Sequence, residues 1–257
     1  MQNSTFKQNY IHKEYTFSEI FEKALELYKK IFANAGLAFL LFGIIQVLVS
    51  SSIQLLFYGF SIFSKDAVAI DMNNFALEVQ LGASLSNALL TGLTTPMIAS
   101  IFYMCKYYLE NQKQPPLNVF EYYNPPYFKK IFVYSFSVTF VLELLMLFFN
   151  QIESAWIGIL IAVLISFFTI LMVPVLVMKD LDIQDSLILG FKMTTQQPFT
   201  LLLLVIVSGL FALTGFIGLC IGIIFTMPIV YIVIFCVYEH QFPINTTHEI
   251  DEIGREF

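Results

Sequence analysis

The chain has 257 residues, of which 58% are hydrophobic and only 12% are charged. A soluble protein carries about 25% charged residues, so an aqueous fold could not bury this much apolar surface. The composition therefore predicts an integral membrane protein. With 13 Lys and Arg against 19 Asp and Glu, the chain lacks the basic excess that contacts phosphates, and we expect no nucleic-acid partner.

The first fifteen residues are polar and contain no apolar stretch followed by a cleavage site. They predict a flexible cytoplasmic tail, residues 1–15, and no cleaved signal peptide. Residues 16–32 follow the i, i+3, i+4, i+7 pattern of an amphipathic helix, and Thr16 with Glu19 forms a capping box at its start. Such a helix lies in the membrane surface with its apolar side down, so we predict an interfacial helix before the first span.

Five apolar runs follow, and a helix that crosses the bilayer needs about 20 residues. The first four runs have the length of one span each, whereas the fifth has the length of two. Gly215, Gly218 and Gly222 supply a turn inside the fifth run. The sequence thus predicts an all-α, polytopic fold in which six transmembrane helices form three hairpins. The runs are 31–63, 81–108, 131–150, 155–178 and 199–238.

Lys and Arg residues are distributed unevenly between the predicted loops. Twelve of the thirteen lie in the N-terminal segment, the second and fourth loops or the C-terminal tail, and Lys65 alone lies on the other side. Because Lys and Arg are enriched in cytoplasmic loops, this distribution predicts that both termini are cytoplasmic. We expect the chain to be integral to a bacterial inner (cytoplasmic) membrane.

A cytoplasmic segment with a helix-cap residue precedes each odd-numbered span, and each of these segments is predicted to form an amphipathic interfacial helix. Asn118 with Glu121, and Asp182 with Asp185, repeat the cap of Thr16 in a looser form. Together with a proline in each even-numbered span, this pattern predicts internal repeats. The predicted organisation is a six-helix membrane domain of residues 16–240, with pseudo-repeats at about 16–110, 118–180 and 182–240, and a cytoplasmic tail of residues 241–257.

The prolines of the even-numbered spans predict three helix kinks, at Pro96, Pro174 and Pro228. Each proline removes a backbone hydrogen bond and bends its helix. The freed carbonyls could line a substrate cavity, or the bends could let three hairpins pack around a common centre. We favour packing, because all three copies have the same feature.

The last third of the chain contains the helix sequence "DSLILGFK", the glycine turn at 215–222, and Pro228 followed by Tyr231 and Tyr238. In this pattern it resembles uncharacterised bacterial six-helix membrane proteins related to the glycerophosphodiester phosphodiesterase membrane domain. The resemblance implies a six-helix membrane fold. The soluble catalytic domain of that group, with its metal-binding His and Glu, is absent from this chain, so phosphodiesterase activity is not implied.

Residues that could carry catalysis are few. His12, His240 and His248 lie near the chain ends, and the sequence contains no H-E-x-x-H, G-x-S-x-G or P-loop motif. The three cysteines form no C-x-x-C pair. We therefore expect no catalytic residue, no metal ion and no cofactor, and predict that the protein is not an enzyme.

Glu143 is the one acidic residue well inside a predicted span. An ionised carboxylate at mid-span costs about 2.5–3.5 kcal/mol, so we expect Glu143 to turn inward, to be protonated, or to bond a Ser, Thr or Asn of a neighbouring helix. It could serve as a proton or cation site in a polar cavity, or it could be a carboxyl that a neighbour satisfies or that snorkels outward. The candidate intramembrane polar site comprises Glu143, Gln46, Gln54 and Asn87.

Two functions remain open on these observations. The first is a non-catalytic membrane protein that binds or organises a protein partner or lipid in a cell-envelope membrane. The alternative is a small-molecule or lipid transporter with a cavity near Glu143. A water-accessible cavity that reaches Glu143 would favour transport, and a dry bundle would favour binding. The expected partners are membrane lipids and a membrane protein or complex.

Overall fold

The computed structural model describes residues 13–58, 77–218 and 221–244. Within these ranges the regular elements are α-helices and short 3-10 turns. The helices are α1 Phe17–Tyr58, α2 Leu77–Asn111, α3 Tyr127–Gln151, α4 Ala155–Phe168, α5 Met172–Lys179, α6 Ile183–Gln196, α7 Pro198–Leu213, α8 Ile221–Thr226 and α9 Pro228–Gln241.

In the described part of the chain, six helical stretches are long and apolar enough to cross a membrane. This confirms the predicted all-α, polytopic fold, and the chain is an integral membrane protein. The candidate membrane spans are Phe17–Ser52, Gln80–Asn111, Tyr127–Gln151, Ala155–Lys179, Pro198–Phe216 and Gly222–Gln241.

Consecutive spans pack against each other as hairpins: α1 on α2, α3 on α4, and α7 on α9. The fifth apolar run contains two spans, as predicted, and a 3-10 turn at Thr214–Gly218 begins their connection. A Cβ on Gly215 would overlap the backbone of Ile223, and one on Gly222 would overlap the Gly215 carbonyl. Only glycine lets the two backbone segments on either side of this turn approach so closely. The three pseudo-repeats stay a prediction, since hairpins also form without duplication.

The segment predicted as an interfacial helix differs from the expectation. Residues from Phe17 onward continue without a break into the first span, so α1 is a single helix of 42 residues. No proline or glycine precedes Gly36 that could end the helix earlier. The apolar side chains of Ile20, Ala24, Leu27 and Ile31 are buried in the core, and α1 packs on α9. The apolar side of α1, which was expected to face lipid, is therefore covered by other helices of the same chain.

The other two capped segments have different outcomes. Asp182 precedes a separate helix, α6, as predicted, whereas the segment after Asn118 forms only a 3-10 turn at Glu121–Tyr123. Thr16 Oγ1 accepts a hydrogen bond from the Glu19 N–H at 3.3 Å, which is one of the two bonds of a capping box. Asn118 instead donates its side-chain amide to the carboxylate of Glu121. The looser caps thus mark where the chain turns, without capping a helix by hydrogen bonding.

The three prolines occupy different positions in their helices. Pro96 lies inside the continuous helix α2. Pro174 lies in the first turn of α5, just after the helix is interrupted between α4 and α5, and Pro228 is the first residue of α9. Two of the three predicted kinks are therefore breaks, at which a new helix begins.

A tyrosine hydroxyl from another element donates to a carbonyl three to five residues before each proline. Tyr123 bonds Leu93 O at 2.5 Å, Tyr134 bonds Thr169 O at 3.3 Å, and Tyr28 bonds Phe225 O at 3.1 Å. Backbone acceptors at membrane depth need such donors because no water reaches them. These bonds support the interpretation that the prolines shape the packing.

The core is centred on α9, which packs against α1, α2, α5 and α7. All residues from 232 to 241 are buried, including the polar sequence Glu239, His240 and Gln241. Phe235 stacks on Phe102 of α2 with ring centroids 6.5 Å apart. The span that contains α9 therefore lies in the interior of the bundle, with the other helices packed around it.

Candidate functional site

Two of the four residues of the predicted polar site are in contact. The side-chain amide of Asn87 on α2 donates a hydrogen bond to Oε1 of Glu143 on α3. The bond joins two adjacent candidate spans, and it agrees with the expectation that Glu143 bonds an Asn, Ser or Thr of a neighbour. A functional role for this pair stays a prediction.

The two glutamines are not part of this pair. Gln46 is half-buried in α1, and its Oε1 has no hydrogen-bond partner among the residues that the structure describes. The side chain of Gln54 lies outside the described residues. The sequence could name these polar residues, but their rotational position on each helix decides which of them meet.

Close packing of α2 on α3 positions the pair. A Cβ on Gly92 would lie 3.0 Å from the ring of Phe132, so the absence of a side chain lets the two helices approach. Phe132 stacks on Phe136, which stacks on Phe140 one turn before Glu143. Asn87 itself is exposed and Glu143 is half-buried, so the pair lies at the edge of this interface.

A second polar cluster, which the sequence analysis missed, lies where α1 begins and α9 ends. The ammonium of Lys23 contacts the carboxylate of Glu239, whose side chain is only 9% exposed. His240 Nε2 lies 3.1 Å from the carbonyl oxygen of Glu14, and its Nδ1 lies 3.4 Å from Glu19 Oε1. The buried end of α9 is thus held by the first helix and the residues before it.

Residues 13–15, which were predicted to belong to a flexible tail, join the same cluster. The Lys13 N–H donates to Gln241 Oε1 at 3.2 Å, and the Gln241 amide donates to Lys13 O at 2.6 Å. The Tyr15 N–H donates to Gln197 Oε1 at 3.2 Å. The rest of the predicted tail, residues 1–12, lies outside the described residues.

The cluster joins the start of α1 and the residues before it to the end of α9, and is called the latch below. It consists of Lys13, Glu14, Glu19, Lys23, Glu239, His240 and Gln241. Both ring nitrogens of His240 and the carboxylate of Glu239 have protein partners. Among the described residues, no group of three or more His, Cys, Asp or Glu side chains could hold a metal ion. The partners Lys23 and Glu239, and likewise Glu14 and His240, are more than 200 positions apart in the sequence, so no local motif indicates this cluster. The available signal was the polar sequence that ends a long apolar run at Glu239 and His240.

An apolar groove lies between α7 and the break that separates α8 from α9. Its volume is about 480 Å³. Gly209 opens one wall, since a Cβ added there would meet nothing within 4 Å. The lining residues are Val205, Ile206, Gly209, Leu210, Leu213, Met227, Val230 and Tyr231.

Comparison with known proteins gives no relative. No family model matches the chain, no curated protein matches it, and no solved structure matches it. The resemblance to the membrane domain associated with glycerophosphodiester phosphodiesterase is therefore supported only as far as a six-helix, apolar membrane protein.

Proposed function

We propose that this protein is a non-catalytic integral membrane protein whose α2–α3 face binds a partner membrane protein. The observation that carries the proposal is the exposed edge position of the Asn87–Glu143 pair within two candidate spans. A polar pair at this depth is costly against lipid and favourable against a protein that offers further hydrogen bonds.

The position of the pair along its helices supports this argument. Asn87 lies seven residues inside the span that begins at Gln80, and Glu143 lies eight residues inside the span that ends at Gln151. At 1.5 Å per residue both side chains lie roughly 10–12 Å from the span ends, within the hydrocarbon layer. Asn87 satisfies Oε1 of the carboxyl, and a partner's donor at the other oxygen would lower the remaining cost.

The surface beside the pair is apolar. Leu144, the next residue of α3, is exposed, as are leucines and other large apolar residues of both helices. Interfaces between transmembrane helices combine such packing with a few interhelical hydrogen bonds. The exposed apolar residues on these two helices include Leu85, Leu89, Val141, Leu144 and Phe148.

We further propose that the protein resides in a bacterial inner membrane with both termini in the cytoplasm. The distribution of Lys and Arg supports this orientation. The reciprocal bonds between Lys13 and Gln241 bring the two ends of the membrane domain together, which supports only that both ends lie on the same side. A reporter fused after Phe257 should be active in the cytoplasm, and activity only outside would contradict the orientation.

The alternative function is a small-molecule or lipid transporter that uses a cavity near Glu143. It rests on the same carboxyl, which could exchange a proton or bind a cation within the membrane. Transport would require water to reach Glu143. A pH-dependent flux into vesicles that Glu143→Gln abolishes would favour this alternative over partner binding.

Photocrosslinking in native membranes tests the binding proposal. A benzophenone amino acid is placed at Leu144, beside Glu143, and at the similarly exposed Leu203 of α7 as a control. We expect a protein adduct of one discrete mass from position 144 and none of that mass from position 203. Glu143→Leu should remove the adduct, whereas Thr139→Leu, one turn away on α3, should keep it. Lipid adducts alone at position 144 would overturn the proposal.

A further inference from the structure

The groove between α7 and α9 is built into the fold. At one end Thr226 Oγ1 donates to Ala212 O at 2.6 Å, which ties α8 to α7. The preceding residue of α8 is also held, because the Tyr28 hydroxyl of α1 donates to Phe225 O at 3.1 Å. Towards the middle of α7, at Gly209, the space beside the helix is empty. The contacts that hold α8 and the absent side chain on α7 therefore bound an open groove beside the break.

We propose that this groove binds one acyl chain of a membrane lipid. Its residues belong to the two candidate spans Pro198–Phe216 and Gly222–Gln241, so hydrocarbon chains surround it. The proposal concerns a different surface from the α2–α3 face and does not depend on the partner proposed there.

The size of the groove selects this occupant. A volume of about 480 Å³ lies within the range of about 300–1,000 Å³ that is usual for sites of small ligands. A second transmembrane helix is about 10–12 Å across, so it could place only side chains in the groove. A single flexible chain of methylene groups can instead lie along an open groove of this kind.

The apolar lining of the groove makes water an unsuitable occupant. A buried water molecule needs about two to four polar partners. Seven of the eight lining residues have apolar side chains or none, and Tyr231 is the one that carries a polar group. An empty groove would forfeit dispersion contacts along its walls, and an acyl chain would restore them.

Gly209 offers a direct way to fill the groove. A leucine there would extend into empty space without a clash, and Gly→Leu also raises helix propensity. Gly43 of α1 is the matched control, because a Cβ added to it likewise meets nothing within 4 Å and it does not line the groove.

The test uses the full chain in mild detergent, in which loosely held annular lipid is washed away. The probe is a phosphatidylglycerol with a diazirine in its acyl chain, and adducts are located by peptide mass spectrometry. We expect adducts on Leu210, Leu213 and Met227 to exceed those on the exposed Leu160 and Val163 of α4 several-fold. Labelling that is equal on both surfaces would overturn the proposal.

The variants provide the second arm of the test. Gly209→Leu should reduce labelling of the groove several-fold, while Gly43→Leu should leave it unchanged. If Gly209→Leu does not elute as a folded species, Gly209→Ala should give a smaller reduction in the same direction. Unchanged labelling in a folded Gly209→Leu protein would refute the proposal, and retention of the Leu144 adduct in that variant would leave partner binding intact.

Discussion

The spans formed by α2 and by α4 with α5 show opposite relations between polarity and burial. The α4–α5 span has the highest mean hydropathy of the six candidate spans, yet only 28% of its most apolar 18-residue stretch is buried inside the protein. The α2 span has the lowest mean hydropathy, and 72% of the corresponding stretch is buried. In α4 itself Gly158 is the one buried residue. The most apolar helix of the bundle thus lies on the outside.

This inversion follows from the solvent. In a bilayer, lipid tails are as apolar as leucine, so an apolar helix gains nothing by leaving them. Helices that carry hydroxyl and amide groups gain from packing inside, because polar side chains are costly against lipid. Ser84, Ser86, Thr94 and Ser100 of α2 are all buried. Packing of inner helices, rather than removal of apolar area from solvent, therefore holds this fold together.

The largest expected effect comes from a cavity in the inner layer. Phe102→Ala in α2 removes a side chain that is 2% exposed and that contacts Tyr231 and Phe235. We expect a loss of about 3–5 kcal/mol in the free energy of unfolding, because the surrounding helices cannot collapse into the space. Chemical denaturation in detergent micelles measures it. Phe148→Ala, on the exposed side of α3, is the matched control, and an equal loss in both variants would break the distinction between layers.

The second effect concerns the latch between α1 and α9. Lys23→Met would leave the buried Glu239 without its cation. We expect a loss of about 2 kcal/mol, below the usual cost of orphaning a buried charge because Lys23 is itself partly exposed. Lys106→Met, which breaks the exposed pair with Glu110, should change stability by less than about 0.5 kcal/mol. The double variant Lys23→Met, Glu239→Met should recover part of the loss; no recovery would argue against a paired charge.

A smaller effect is expected at the exposed pair of α2 and α3. Glu143→Leu removes one interhelical hydrogen bond, worth about 0.6 kcal/mol in membranes, and also removes a carboxyl that lipid disfavours. The two terms oppose each other, so thermal unfolding of the isolated chain should be unchanged or shifted upward. A large loss of stability would show that the pair is a structural element of the bundle. Higher stability with every phenotype intact would show that Glu143 is not a functional site.

Much of the architecture could be predicted because it depends on local composition. Apolar runs of span length, the turn at residues 152–154 and the glycine turn after α7 all follow from neighbouring residues. The continuation of α1 through residues 17–32 was missed, because an amphipathic stripe does not reveal whether lipid or another helix covers it. The burial of α9 decides that question, and it is a property of the whole bundle.

The polar sites were less predictable for the same reason. Glu143 and Asn87 were both identified as candidates, yet the packing of α2 on α3, which includes Gly92 against Phe132, is what brings them together. The latch was missed because each of its contacts joins the beginning of the chain to its end. Single-sequence reasoning finds groups that need partners, and tertiary structure chooses which partners they obtain.

The contact between Lys23 and Glu239 also has a consequence for biosynthesis. The two residues are 216 positions apart. At about 5–20 residues per second, Glu239 leaves the ribosome roughly 10–40 s after Lys23. During that interval the first helix has already been made but lacks its ionic partner and the packing surface that α9 provides. The α1–α9 interface can therefore form only after α9 has been translated, and α1 must remain in the membrane without it until then.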